Sequence, residues 1–127
     1  MNLEKVFFAF FIVLALTLNF GFFYGDLDNP THHHPMELAA ALAVSLIATI
    51  MKFGERSQLG AVLLATSLVA DLQLVAAVLV WIFAAYTTEP GMTPVVLSSV
   101  VSLSGGALLA NGVSVTLLVG ETLSIRR

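Results

Sequence analysis

One carboxylate stands where hydrocarbon is expected. Asp71 lies inside an apolar run covering residues 59–86, twelve positions past Leu59 (71 − 59 = 12). In a helix rising about 1.5 Å per residue that is ~18 Å along the run, near the middle of a bilayer. A charged side chain at such a depth costs ~2.5 to 3.5 kcal/mol on insertion scales, so it calls for a partner or a water-filled cavity. Ser67 precedes it by four residues on the same helical face, and Thr66 and Gln73 flank it. This grouping reads as an intramembrane site for a cation, either a proton or a monovalent metal. The competing reading is an aspartate hydrogen-bonded to a neighbouring helix, acting as a fastener. No Lys or Arg lies at matching depth, which leaves a buried salt bridge out. Asn19, in the outer half of the first apolar run, and Asn111, in the inner half of the fourth, extend the polar set to three depths. Each can also simply bond a neighbouring helix.

A second chemical feature is Thr31-His32-His33-His34-Pro35, with Asp26, Asp28 and Glu37 close in sequence. Imidazole suits zinc, copper and nickel, and it changes charge between pH 5 and 8. His32, His33, His34 and Glu37 are therefore candidate metal ligands or a pH-sensing patch. The plainer reading is structural, with His34 capping the helix that Pro35 opens. Catalysis is not expected. No Walker loop or His-Glu-x-x-His pair is present. The scattered polar residues cannot supply nucleophile, base and oxyanion donors together. No cofactor is called for.

These residues must be held by membrane-spanning elements. The chain of 127 residues is 58% hydrophobic and only 10% charged, with no cysteine. Soluble domains carry about 25% charged residues, so a soluble enzyme or a disordered chain is disfavoured. A formal charge of −3 without a basic stripe speaks against a nucleic-acid partner. The expected fold is all-α: a single polytopic membrane domain over 1–127, with the lipid bilayer as its surroundings. Four transmembrane helices near residues 6–24, 36–52, 59–86 and 95–120 form two hairpins. The first run follows Lys5 but is too long for a signal-peptide core, and no small-x-small cleavage site follows it. It is read as a span. Pro35 and Pro94 suit first helical positions, and Trp81 and Tyr86 suit a membrane–water interface.

Charge sets the orientation. Lys5, Lys52, Arg56, Arg126 and Arg127 are all the cationic residues, and four spans put every one on the same side. The opposite side holds Asp26, Asp28, Glu37 and Glu89. The positive-inside rule then places both termini in the cytoplasm.

Lipid is as apolar as leucine, so small residues must let these helices approach. Ser98, Ser102, Gly106, Ala110 and Ser114 recur at steps of four, with a second row of Gly112, Thr116 and Gly120. Such a ladder suits close right-handed crossing, either inside the bundle or between subunits. Four helices enclose little pore, so conduction would require a homo-oligomer. The other possibility is an accessory subunit docked on a larger membrane transport protein.

His32-His33-His34-Pro35-Met36-Glu37-Leu38, Ala48-Thr49, Lys52-Phe53-Gly54 and Ala65-Thr66-Ser67-Leu68-Val69-Ala70-Asp71-Leu72-Gln73-Leu74 together resemble a family of short, functionally uncharacterised bacterial membrane proteins. The resemblance covers roughly residues 1–90. It implies a location in the bacterial inner membrane and assigns no activity. The topology has a direct check: a cysteine at position 56 should react with a membrane-impermeant reagent only from the cytoplasmic side, and labelling from outside overturns the layout.

Overall fold

The computed structural model of the chain describes residues 3–24, 35–53, 57–86 and 93–126. They form four helices, α1 (Leu3–Phe23), α2 (Pro35–Lys52), α3 (Gln58–Tyr86) and α4 (Pro94–Arg126), and no strand is found among the described residues. All four are long and apolar enough to cross a membrane. The starts follow local chemistry. Ser57 caps α3, its Oγ accepting from Gly60 N at 3.0 Å, and Thr93 caps α4, its Oγ1 accepting from Val96 N at 3.2 Å. Each hydroxyl satisfies an amide that has no carbonyl partner in the first turn. Pro35 and Pro94 occupy first helical positions, as expected. The fourth helix runs beyond the expected end near 120. Its 33 residues span ~50 Å, more than the ~30 Å of a hydrocarbon core.

The helices pack in a ring, with α1 on α2, α2 on α3, α3 on α4, and α4 back on α1. One spacing explains the packing. Buried positions are Phe8, Ile12, Ala15, Asn19 and Phe22 on α1, and Leu38, Ala41, Ser45, Ala48 and Thr49 on α2. On α3 they include Gly60, Leu63, Ser67, Ala70, Leu74 and Ala77. On α4 they are Leu97, Val100, Val101, Ser104, Ala107, Asn111 and Ser114. Most steps are three or four residues, close to the 3.5-residue period by which helices interlock in left-handed bundles. A strict step of four advances ~40° per repeat around a helix of 3.6 residues per turn. The Ser98–Ser114 ladder therefore winds off this seam. Ser114 is buried, Ser98, Gly106 and Ala110 are partly buried, and Ser102 is exposed. The second row faces outward: a Cβ added at Gly112 or Gly120 would meet nothing within 4 Å.

The exterior is apolar. Leu72 and Leu109 are 71% and 75% exposed, and Phe10, Ile50 and Phe83 also point away from the bundle. Trp81 is partly buried and turns inward, its ring 6.1 Å from that of Phe22 in an edge-on contact, whereas Tyr86 is exposed.

The interior has two apolar clusters. One gathers Phe22, Leu38, Ala41, Ala70, Leu74, Ala77, Leu97, Val100, Val101 and Ala107; the other gathers Phe8, Ile12, Ala48 and Leu63. Between them in the register lie Ser45, Ser67, Asn111 and Ser114, and Asp71 sits just inside the first cluster, between Ala70 and Leu74, all buried. Polar side chains thus mark the border of the two clusters. The seam predicts unequal responses to mutation. Ala107→Leu, which overfills a buried position, should cost about 1–3 kcal/mol, while Leu109→Ala on the exposed face should change stability by less than about 0.5 kcal/mol. Reversible unfolding in detergent micelles checks both.

Candidate functional site

Asp71 is 6% exposed and its carboxylate meets α2 at two points. Ser45 Oγ donates to Oδ1 at 2.6 Å, and Thr49 Oγ1 donates to Oδ2 at 2.5 Å. The donors are four residues apart, so one turn of α2 presents both hydroxyls on the face that packs against α3. A carboxylate has two oxygens and spans that turn. Thr49 Oγ1 also reaches back to Ser45 O at 2.9 Å, the usual retreat of a threonine hydroxyl inside a helix. Ser45 and Thr49 lie seven and three residues before Lys52 (52 − 45 and 52 − 49), or ~4.5 to 10 Å from that end of α2. Asp71 is therefore nearer the Lys52 end of the bundle than its depth along α3 alone suggests.

The residues grouped with Asp71 from the sequence divide among different partners. Thr66 turns toward α4, where its hydroxyl contacts that of Ser114, and it bonds Val62 O and Leu63 O at 3.1 and 3.0 Å. Gln73 lies flat on Gly106. A Cβ there would come within 2.7 Å of the Gln73 Cδ, so glycine is what admits the carboxamide. Asn19 bridges from α1 to the α4 backbone. With the amide oriented to suit its surroundings, its nitrogen donates to Ser104 O and its oxygen accepts from Leu108 N, both at 3.0 Å. Among the described residues, three oxygens are buried without a hydrogen-bond partner: Ser67 Oγ, Gln73 Oε1 and Asn111 Oδ1. Each such atom costs about 1–3 kcal/mol relative to a paired one.

Sequence reasoning missed Ser45 and Thr49 as partners of Asp71. The signal was present as two hydroxyls at a spacing of four in α2, but Ser45 also fits a small-residue packing row. Lys52 closes the same helix with its Nζ 4.3 Å from the Phe8 ring centroid, a cation–π contact. His32, His33 and His34 lie outside the described residues. Glu37, in the first turn of α2, is partly buried with its carboxylate against Gly21. Among the described residues no three of His, Cys, Asp and Glu gather.

The two hydroxyls should be measurable. Ser45→Ala and Thr49→Val are each expected to cost about 1–2 kcal/mol in micelles. In the Asp71→Leu background either substitution should cost little, because the shared acceptor is gone. Equal costs in both backgrounds would mean that the carboxylate is not their partner.

No curated protein and no solved structure matches this chain. A family model does match, over residues 32–122. That range takes in α2, α3 and most of α4, hence Ser45, Thr49, Ser67, Asp71, Gln73, Asn111 and Ser114, and leaves out α1 with Asn19. It also extends past the residues of the resemblance, roughly 1–90, into the last span, which offers no recognisable motif. The chain belongs to the family described as "Family of unknown function (DUF6394)".

Proposed function

We propose that this is a small multi-pass protein of the bacterial inner membrane that takes a cation onto Asp71. It would have both termini in the cytoplasm, work as a homo-oligomer and catalyse no reaction. The observation that carries the reading is the set of buried polar groups along α2, α3 and α4. The carboxylate of Asp71 accepts from two hydroxyls of α2, and among the described residues the buried carboxamide oxygens of Gln73 and Asn111 have no donor. Carboxylate and carboxamide oxygens short of donors favour a positive guest. The cationic residues of the described helices, Lys5, Lys52 and Arg126, stand at helix ends. The outward row of Gly112, Thr116 and Gly120 supports self-association, since those small residues have no packing duty inside the bundle.

A second reading has an observation of its own. Both carboxyl oxygens of Asp71 already meet α2, which suits a fastener in an accessory subunit whose outward row docks a larger transport protein. Cation flux or binding in proteoliposomes separates the two. Wild type is expected to exceed Asp71→Asn at least severalfold. Equal values, or none in either, remove the cation reading. The mass of the particle in mild detergent adds the partner: a pure homo-oligomer agrees with the first reading, and a stoichiometric foreign subunit with the second.

A further inference from the structure

We infer that the cation accepted at Asp71 is a proton, and that Thr49 is the positioning residue that accommodates it. This rests on the cation reading above and narrows it to one ligand. The reason is a count of hydrogens. A hydroxyl has one hydrogen and two lone pairs, and the Thr49 hydroxyl lies within reach of two acceptors, Asp71 Oδ2 at 2.5 Å and Ser45 O at 2.9 Å. With Asp71 ionised, Thr49 gives its hydrogen to Oδ2 while Ser45 gives its own to Oδ1. When a proton binds at Oδ2, the new O–H donates to Thr49 Oγ1. The Thr49 hydrogen then swings to the Ser45 carbonyl, and the Ser45 bond to Oδ1 stays. Every donor is used in both states. No heavy atom moves, and the only adjustment is rotation about one C–O bond.

A metal ion fits the same contacts poorly. Each carboxylate oxygen already accepts a hydroxyl hydrogen, at 2.6 and 2.5 Å. A metal ion would have to displace those hydrogens from the lone pairs they occupy, whereas a proton keeps every donor in use. The other charged residues of the described helices stand near helix ends. Glu4 and Lys5 open α1, Glu37 opens α2, and Lys52 closes α2 with its Nζ over Phe8. Glu121 and Arg126 belong to the last two turns of α4, and Asp71 is the only charged residue of α3.

The test is infrared difference spectroscopy on the full chain in liposomes, with pH steps and, separately, sodium or potassium steps at fixed pH. The chain has three aspartates, Asp26, Asp28 and Asp71. Isotope-labelled aspartate in an Asp26→Asn, Asp28→Asn background therefore isolates the Asp71 carboxyl. The expected result is a labelled carboxylic-acid carbonyl band that grows as pH falls and ignores both metal ions. Thr49→Val should move that band to higher frequency by removing a hydrogen-bond partner, and Thr49→Ser should restore it. A purely structural threonine would leave the frequency unchanged in any variant that folds. A labelled carboxylate band that responds to sodium or potassium and not to pH would overturn the proton assignment and leave the cation reading standing. A band indifferent to pH and to both ions would overturn both.

Discussion

Two hydroxyls closing on one carboxylate set the terms for this bundle. The exterior, rich in exposed Leu, Phe, Val and Ile, is at least as apolar as the interior, so burying hydrocarbon does not tell one helix face from another. Hydrogen bonds do. Ser45 and Thr49 can both reach Asp71 in only one register of α2 against α3. A slide of one turn would leave a hydroxyl facing hydrocarbon and a carboxylate oxygen bare, each a costly outcome in a medium without water. The small seam residues then follow. Ala41, Ala48, Ala70 and Ala77 keep the helices close enough for short side chains to meet.

The number of helices, their beginnings and their apolar character were legible in the sequence, because hydrocarbon runs of this length bounded by Pro35, Pro94 and charged residues have few other outcomes. The inward face was not. A helix that is apolar all round offers no stripe to read, and the small residues of α4 suggested a step of four where the packed seam mixes steps of three and four. Asp71 announced itself by cost alone. Its partners did not, because serine and threonine within an apolar helix look the same whether they fill space, bond their own backbone or serve a carboxylate. The unpartnered oxygens of Ser67, Gln73 and Asn111 depend on the rotation of neighbouring helices, which no spacing within one segment records.

Two kinds of polar contact coexist in the interior. Those of Asp71 join side chain to side chain, and a change of one atom on either partner breaks them. Asn19 instead holds main-chain atoms of α4, and its grip is indifferent to which side chains α4 carries there. The first kind lies wholly within the family match, and the second depends on α1, which lies outside it. The set of buried polar groups along α2, α3 and α4 is thus the portion of the interior that the family match contains in full.

The atoms that Asn19 holds, the carbonyl of Ser104 and the amide of Leu108, face each other across a single turn, and that turn contains Gly105 and Gly106. Adjacent glycines make the softest point of a long helix, here opposite Gln73 and Phe23. The first helix therefore acts as a splint on the longest one: α4 cannot hinge at its weakest joint without dragging α1 along, and the pair is mechanically a single strut.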